Sequence, residues 1–150
     1  DLYSGVGLFA VSITAARAGR VTAVERDPAA TRDLVFNASP LTPAISLVRT
    51  SVEAYLKRSG SLRGSVVIVD PPRTGLSREV AVRLTRCHPD RIVYVSCDVA
   101  TQARDLRVLT AAGYRLAQVH AFDMFPNTPH VETVATLDRT GGPSRQDPET

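Results

Sequence analysis

Cysteine is scarce in this chain, with only Cys87 and Cys97 among 150 residues. Two cysteines do not build a disulfide framework. No Cys-x-x-Cys pair or Cys/His cluster offers the spacing of a zinc or iron–sulfur site, so no metal is expected, and the default compartment is the reducing cytoplasm. No apolar run approaches the ~20 residues that cross a bilayer, and no basic-flanked apolar leader is visible; no membrane partner is expected. Lysine is nearly absent. Of 18 basic residues only Lys57 is lysine, which leaves 17 arginines. Arginine binds phosphate bidentately and stacks on bases, although a GC-rich genome gives the same excess. The net charge of +3 and pI near 9.2 are compatible with a polyanionic partner. Hydrophobic content of 43% and charged content of 22% suit one globular domain, expected as a monomer.

The hydrophobic pattern alternates strand and helix. The chain opens on Asp1-Leu2-Tyr3-Ser4-Gly5-Val6-Gly7, the end of a strand running into a glycine turn, which reads as a fragment cut at its N-terminal side. A helix is expected over 8–18, a buried strand over 21–24 ending at Glu25, and a helix capped by Asp27-Pro28 running to about Asn37. Strands follow at 45–48, 65–69 and 91–95, and helices at 51–58, 77–86 and 100–112. Two last strands, 114–121 and 131–137, have no helix between them and suggest an antiparallel hairpin at one edge. The whole predicts an open, mostly parallel Rossmann-like α/β sheet with helices on both faces. The domain is expected over 1–138, and the Gly/Pro/Ser-rich stretch 139–150 as a disordered tail.

In such sheets ligands bind at the carboxyl ends of the strands, and the unusual residues fall there. Gly5 and Gly7 permit a tight turn and close approach of the backbone to a ligand; with Ala10 they form GxGxxA, and Glu25, 18 residues past Gly7, can accept from ribose hydroxyls. The pattern fits an adenosine cofactor without separating NAD from S-adenosylmethionine. Asp70 is followed by Pro71-Pro72, which fix the backbone and hold the carboxylate at the pocket mouth. Cys97 follows the last apolar residue of a strand and precedes a helix N-terminus, a place that favours a thiolate. Cys87, beside His88 and Pro89, lies away from that edge and reads as structural. Phe125 to Pro129 form a proline-bracketed loop ending in His130 and Glu132, which share one strand face. A carboxylate near apolar walls can serve as a base.

Together, Asp1 to Gly7, Asp70-Pro71-Pro72-Arg73, Val95-Ser96-Cys97-Asp98 and Phe125 to Glu132 resemble the RNA 5-methyluridine methyltransferases of tRNA and 23S rRNA. The resemblance implies a class I S-adenosylmethionine-dependent fold and an RNA partner, tRNA or 23S rRNA. It implies cofactor binding by Tyr3, Glu25 and Asp70 with Gly5 and Gly7 shaping the loop, Cys97 as nucleophile, and Glu132 as proton acceptor. Leu8 and Asp98 stand where the family often carries Asn, and Ser4 where it often carries Cys; the family's cofactor-binding Gln and N-terminal RNA-binding portions would lie upstream of Asp1. Three other readings stay open on the residues alone: an RNA cytosine-5 methyltransferase, an NAD-dependent oxidoreductase on the strength of GxGxxA and Glu25, and a non-catalytic RNA- or cofactor-binding module.

Overall fold

The computed structural model describes residues 1–141 apart from Ala18, Phe125, Pro129 and His130. Within these residues the helices are α1 (Leu8–Ala16), α2 (Pro28–Ala38), α3 (Val52–Arg58), α4 (Arg78–Arg86) and α5 (Val99–Ala111). The strands are β1 (Val21–Glu25), β2 (Ile45–Arg49), β3 (Val66–Val69), β4 (Arg91–Ser96), β5 (Tyr114–Phe122) and β6 (Glu132–Arg139). The helix starts follow from capping: Asp27 accepts from the amides of Ala29 and Ala30, and Ser51, Ser77 and Asp98 each accept from an amide of the first turn. α1 ends earlier than expected, because Arg17 is already extended as the chain turns toward β1.

β1 and β2 pair in parallel, as do β3 and β4. Between the two pairs lies the opening segment, where Leu2 bridges Val24 on one side and Val69 on the other, both in parallel sense. The strand expected at the sheet centre, β3, is thus flanked by the segment that enters the glycine turn and by β4. Beyond β4 the sheet turns antiparallel: β6 pairs with β4 on one side and with β5 on the other. The two closing strands do form an antiparallel pair, but the later one lies inside. β6 buries Thr133, Ala135 and Leu137 in strict alternation, whereas β5 is exposed over nearly its whole length, so the half-buried sequence takes the inner place. β6 continues through Arg139, and the Thr140 hydroxyl donates to the Gly113 carbonyl at 2.7 Å. Positions 142–150 lie outside the described residues.

The core gathers Leu2, Val24, Val69, Leu84, Ile92, Tyr94, Leu109 and Leu137 on one face of β3 and β4. It contains one buried carboxylate. Asp105 of α5 is 3% exposed and accepts from the Leu76 amide and the Tyr94 hydroxyl, each at 2.7 Å, while Arg104 covers its other oxygen. This ties the loop after β3 to both α5 and β4. Gly75 in that loop has φ +75°, and a Cβ there would collide with Thr101 and with Asp105 itself. Replacing Asp105 with Ala leaves two buried donors without an acceptor. At ~1–3 kcal/mol for each, a loss of roughly 2–6 kcal/mol of stability is expected, read as a lowered urea midpoint at unchanged slope.

Candidate active site

The glycine turn is held by a carboxylate. Glu25, at the end of β1, accepts from the Gly5 amide at 3.0 Å through one oxygen and from the Arg26 and Asp27 amides at 2.8 Å through the other. The turn is further fixed by Ser4, buried, whose hydroxyl donates to the Asp1 carbonyl at 2.7 Å, and by Asp1, whose carboxylate accepts from the Ala10 amide inside α1. The two glycines serve different ends. Gly7 has φ +94°, and a Cβ on it would lie 2.2 Å from Leu34 Cδ1, so close packing of the turn on α2 requires its bareness. Gly5 has φ +52°, and a Cβ there would meet nothing within 4 Å. That side of the turn is open space at the carboxyl edge.

A cleft of about 1080 Å³ runs along this edge, lined by Tyr3, Glu25, Thr50 to Glu53, Asp70 to Pro72 and the residues around Leu76. Tyr3 holds the left-handed backbone at φ 62°, an uncommon conformation for a non-glycine residue. Its hydroxyl pKa is pushed up to about 12 by burial, with Glu53 and Asp105 adding to the rise. Asp70 stands at the mouth. Its side chain opens to the cleft, yet the surrounding walls displace enough water to raise its pKa, and the charge of Glu132 raises it further.

That influence brings Glu132 to the same edge. The antiparallel ladder between β4 and β6 ends on the pair Ser96 and Thr133. The residues next to that last pair are Cys97, where β4 has ended, and Glu132, the first residue of β6. Across the other side of β6, Glu132 is paired with Phe122, which supplies an apolar neighbour. Cys97 and Glu132 are both partly buried. They do not line the large cleft but lie beside it, past Asp70. Asp98 does more than place a negative charge next to Cys97. It caps α5 through the Thr101 amide at 2.7 Å, and its pKa is lowered by that hydrogen bond and by Arg73.

Tyr3, Glu25 and Asp70 thus share one cleft, Gly5 and Gly7 form the turn beside it, and Cys97 and Glu132 each lie one residue beyond the last β4–β6 pair. Leu8 sits at the start of α1 and is 66% exposed. Cys87 is buried in the core, where its thiol pKa is raised by desolvation. His130 lies outside the described residues. Thr50 to Glu53 were not singled out from the sequence, although they follow the end of β2 and the strand-end rule reaches them. Among the described residues no cluster of His, Cys, Asp and Glu could hold a metal, and no helix is long and apolar enough to cross a membrane.

A family model described as tRNA (Uracil-5-)-methyltransferase matches residues 1–140. A Thermotoga maritima protein described as an uncharacterized RNA methyltransferase is 44% identical over 138 residues, which is 91% of this chain and 31% of that protein. The crystal structure of the Pyrococcus abyssi tRNA (uracil-54, C5)-methyltransferase, in complex with S-adenosyl-L-homocysteine, superposes with a TM-score of 0.78 at 38% identity, over 91% of this chain and 33% of that one. Aeropyrum pernix fibrillarin shares the fold at 17% identity, with a TM-score of 0.66 over 89% of this chain and 64% of that one. The chain spans about a third of the length of the Thermotoga and Pyrococcus abyssi proteins.

The raised pKa of Asp70 has a consequence for stability. A carboxyl whose pKa is higher in the folded state binds its proton more tightly there, so the fold bears a penalty above the folded pKa that vanishes below the unfolded one. Asp70→Asn is therefore expected to melt at a higher temperature than wild type at pH 7. The gap should close as the pH falls through the raised value, as calorimetric scans across pH would show.

Proposed function

The chain belongs to the tRNA (uracil-5-)-methyltransferase family, and from that premise we propose that it forms the catalytic part of an enzyme methylating C5 of a uridine in tRNA or 23S rRNA. S-adenosylmethionine, when bound, supplies an electrophilic methyl group on a sulfonium. The cleft fits such a cofactor in size, since its volume is close to the upper end of the ~300–1,000 Å³ of small-molecule and cofactor pockets. It fits in chemistry too: Glu25 lines the cleft as well as holding its three amides, Gly5 leaves open space beside the turn, and Tyr3 and Asp70 border the same volume.

The influence of Glu132 on Asp70, with Cys97 and Glu132 each one residue beyond the last β4–β6 pair, is the observation that supports the reading. Uracil C5 is a weak nucleophile. The Cys97 thiolate adds to C6, forming the S–C6 bond and pushing the electron pair of the C5–C6 double bond toward C5 and O4. C5 then takes the methyl group. The adduct now carries both methyl and hydrogen at C5. Glu132 removes that hydrogen as a proton, the electron pair reforms the double bond, and the Cys97 thiolate leaves. One step needs a nucleophile and the other a base, and neither side chain can stand in for the other. The target base must leave its stack to reach both. An NAD-dependent oxidoreductase would use the glycine turn and Glu25 but has no need of the thiol and carboxylate.

Two substitutions in the full-length protein separate the roles. Cys97→Ala should abolish methylation and leave no covalent RNA complex. Glu132→Gln keeps the nucleophile, so addition and methyl transfer proceed while elimination stalls. A methylated protein–RNA adduct that survives denaturing electrophoresis is expected to accumulate. Release of product by Glu132→Gln at the wild-type rate would remove Glu132 from the role of base.

A further inference from the structure

Cys97 and Glu132 lie just past the last described pair of the β4·β6 ladder, Ser96 and Thr133. β4 ends there, and α5 begins at Val99. Three buried polar groups meet at this point. Thr133, next to Glu132 and 4% exposed, places its hydroxyl 3.2 Å from the Ser96 carbonyl and 2.9 Å from Gln102 Oε1. It has one proton and shares it between them. Gln102 of α5, 3% exposed, donates through Nε2 to the Tyr94 carbonyl at 3.0 Å. A carbonyl can only accept, which fixes the amide's orientation and turns Oε1 toward Thr133.

We propose that Gln102 and Thr133 are positioning residues that set the spacing and facing of Cys97 and Glu132. Resting on the reading of those two as nucleophile and base, the proposal adds what holds them. The chain of contacts runs from the β4 backbone at Tyr94, through the Gln102 side chain, to Thr133 on β6, and back to Ser96 on β4. It encloses the end of the ladder and locks α5, whose first turn follows Cys97, to the strand that carries Glu132. Buried polar groups satisfied in this way have one arrangement, because any other leaves one of them unpaired. Gln102 and Asp105 stand three apart on the inward face of α5 but serve different ends: Asp105 holds the loop after β3, and Gln102 holds β6. No cofactor-lining residue takes part in the Gln102 network.

The role makes a kinetic demand. A shift of about 1 Å between reacting groups can slow a step ~100-fold, and here it would fall on proton removal by Glu132, after the methyl group has moved. The test uses full-length protein with a uridine-containing tRNA transcript and S-adenosylmethionine. Thr133→Val keeps the β-branched shape and removes the hydroxyl; Gln102→Met keeps the length and removes the amide. Each is expected to bind S-adenosylmethionine with wild-type affinity, to turn over at least about tenfold more slowly, and to accumulate covalent protein–RNA adduct on denaturing gels. Thr133→Ser, which restores the hydroxyl, should return turnover and adduct to near wild-type levels. Wild-type turnover without adduct in a folded Thr133→Val or Gln102→Met would overturn the proposal, as would loss of fold in both, which would assign the network to stability alone. Failure of the underlying reading is distinguishable, because Cys97→Ala would then retain methylation.

Discussion

Everything at this edge depends on the seating of β6 between β4 and β5. Side chains on a strand alternate with a period of two, so a slip of one residue would send Glu132 to the opposite face and bring Thr133 in its place. The register that buries Thr133, Ala135 and Leu137 against the core also ends the ladder on Ser96 and Thr133, the neighbours of Cys97 and Glu132. Hydrophobic burial, distributed over the strand, thereby fixes the relation of two polar groups at its tip. The buried contacts of Gln102 and Thr133 extend that control past the point where the ladder ends.

The cofactor side is built by a different device. The glycine turn lies between β1 and β3, and three backbone amides converge on Glu25. A carboxylate so bound orders the turn and also lines the cleft, so one residue shapes the site and borders it. Asp70 stands between the two regions: it lines the cleft, and it feels the charge of Glu132. The partial loss of water and the charge of Glu132 together make Asp70 hold its proton more readily than an exposed carboxyl does.

Local chemistry made much of this legible in the sequence. Val66 to Val69 is a continuous apolar run stopped by Asp-Pro-Pro, so both the central strand and its functional end could be located. Asp27, Ser51 and Ser77 marked helix starts because capping is a short-range interaction. The partners of β6 were not legible in the same way. Alternation identifies a strand and its buried face, but pairing with β4 rather than lying at the edge is decided by contacts nearly forty residues away in sequence. The polar residues of α5 were hidden for a related reason. Gln102 and Asp105 look like members of a solvated face until the structure shows them turned inward and hydrogen-bonded. Their spacing of three, in step with the buried Leu109, is the one signal that could have marked them. Glu25 was found by position, but its three amide bonds depend on the exact path of the turn.

The claim that Cys97 and Glu132 act in sequence on one uracil is tested most directly by a substrate on which only the second act fails. Fluorine at C5 cannot leave as a cation, so a base cannot clear that carbon. RNA carrying 5-fluorouridine at the target position, incubated with the full-length protein and S-adenosylmethionine, should arrest after methyl transfer. Digestion and mass spectrometry are expected to find a single modified peptide, bearing a methylated fluorouridine on Cys97. An adduct on Cys87 or another residue, or no adduct from a protein active on ordinary uridine, would contradict it.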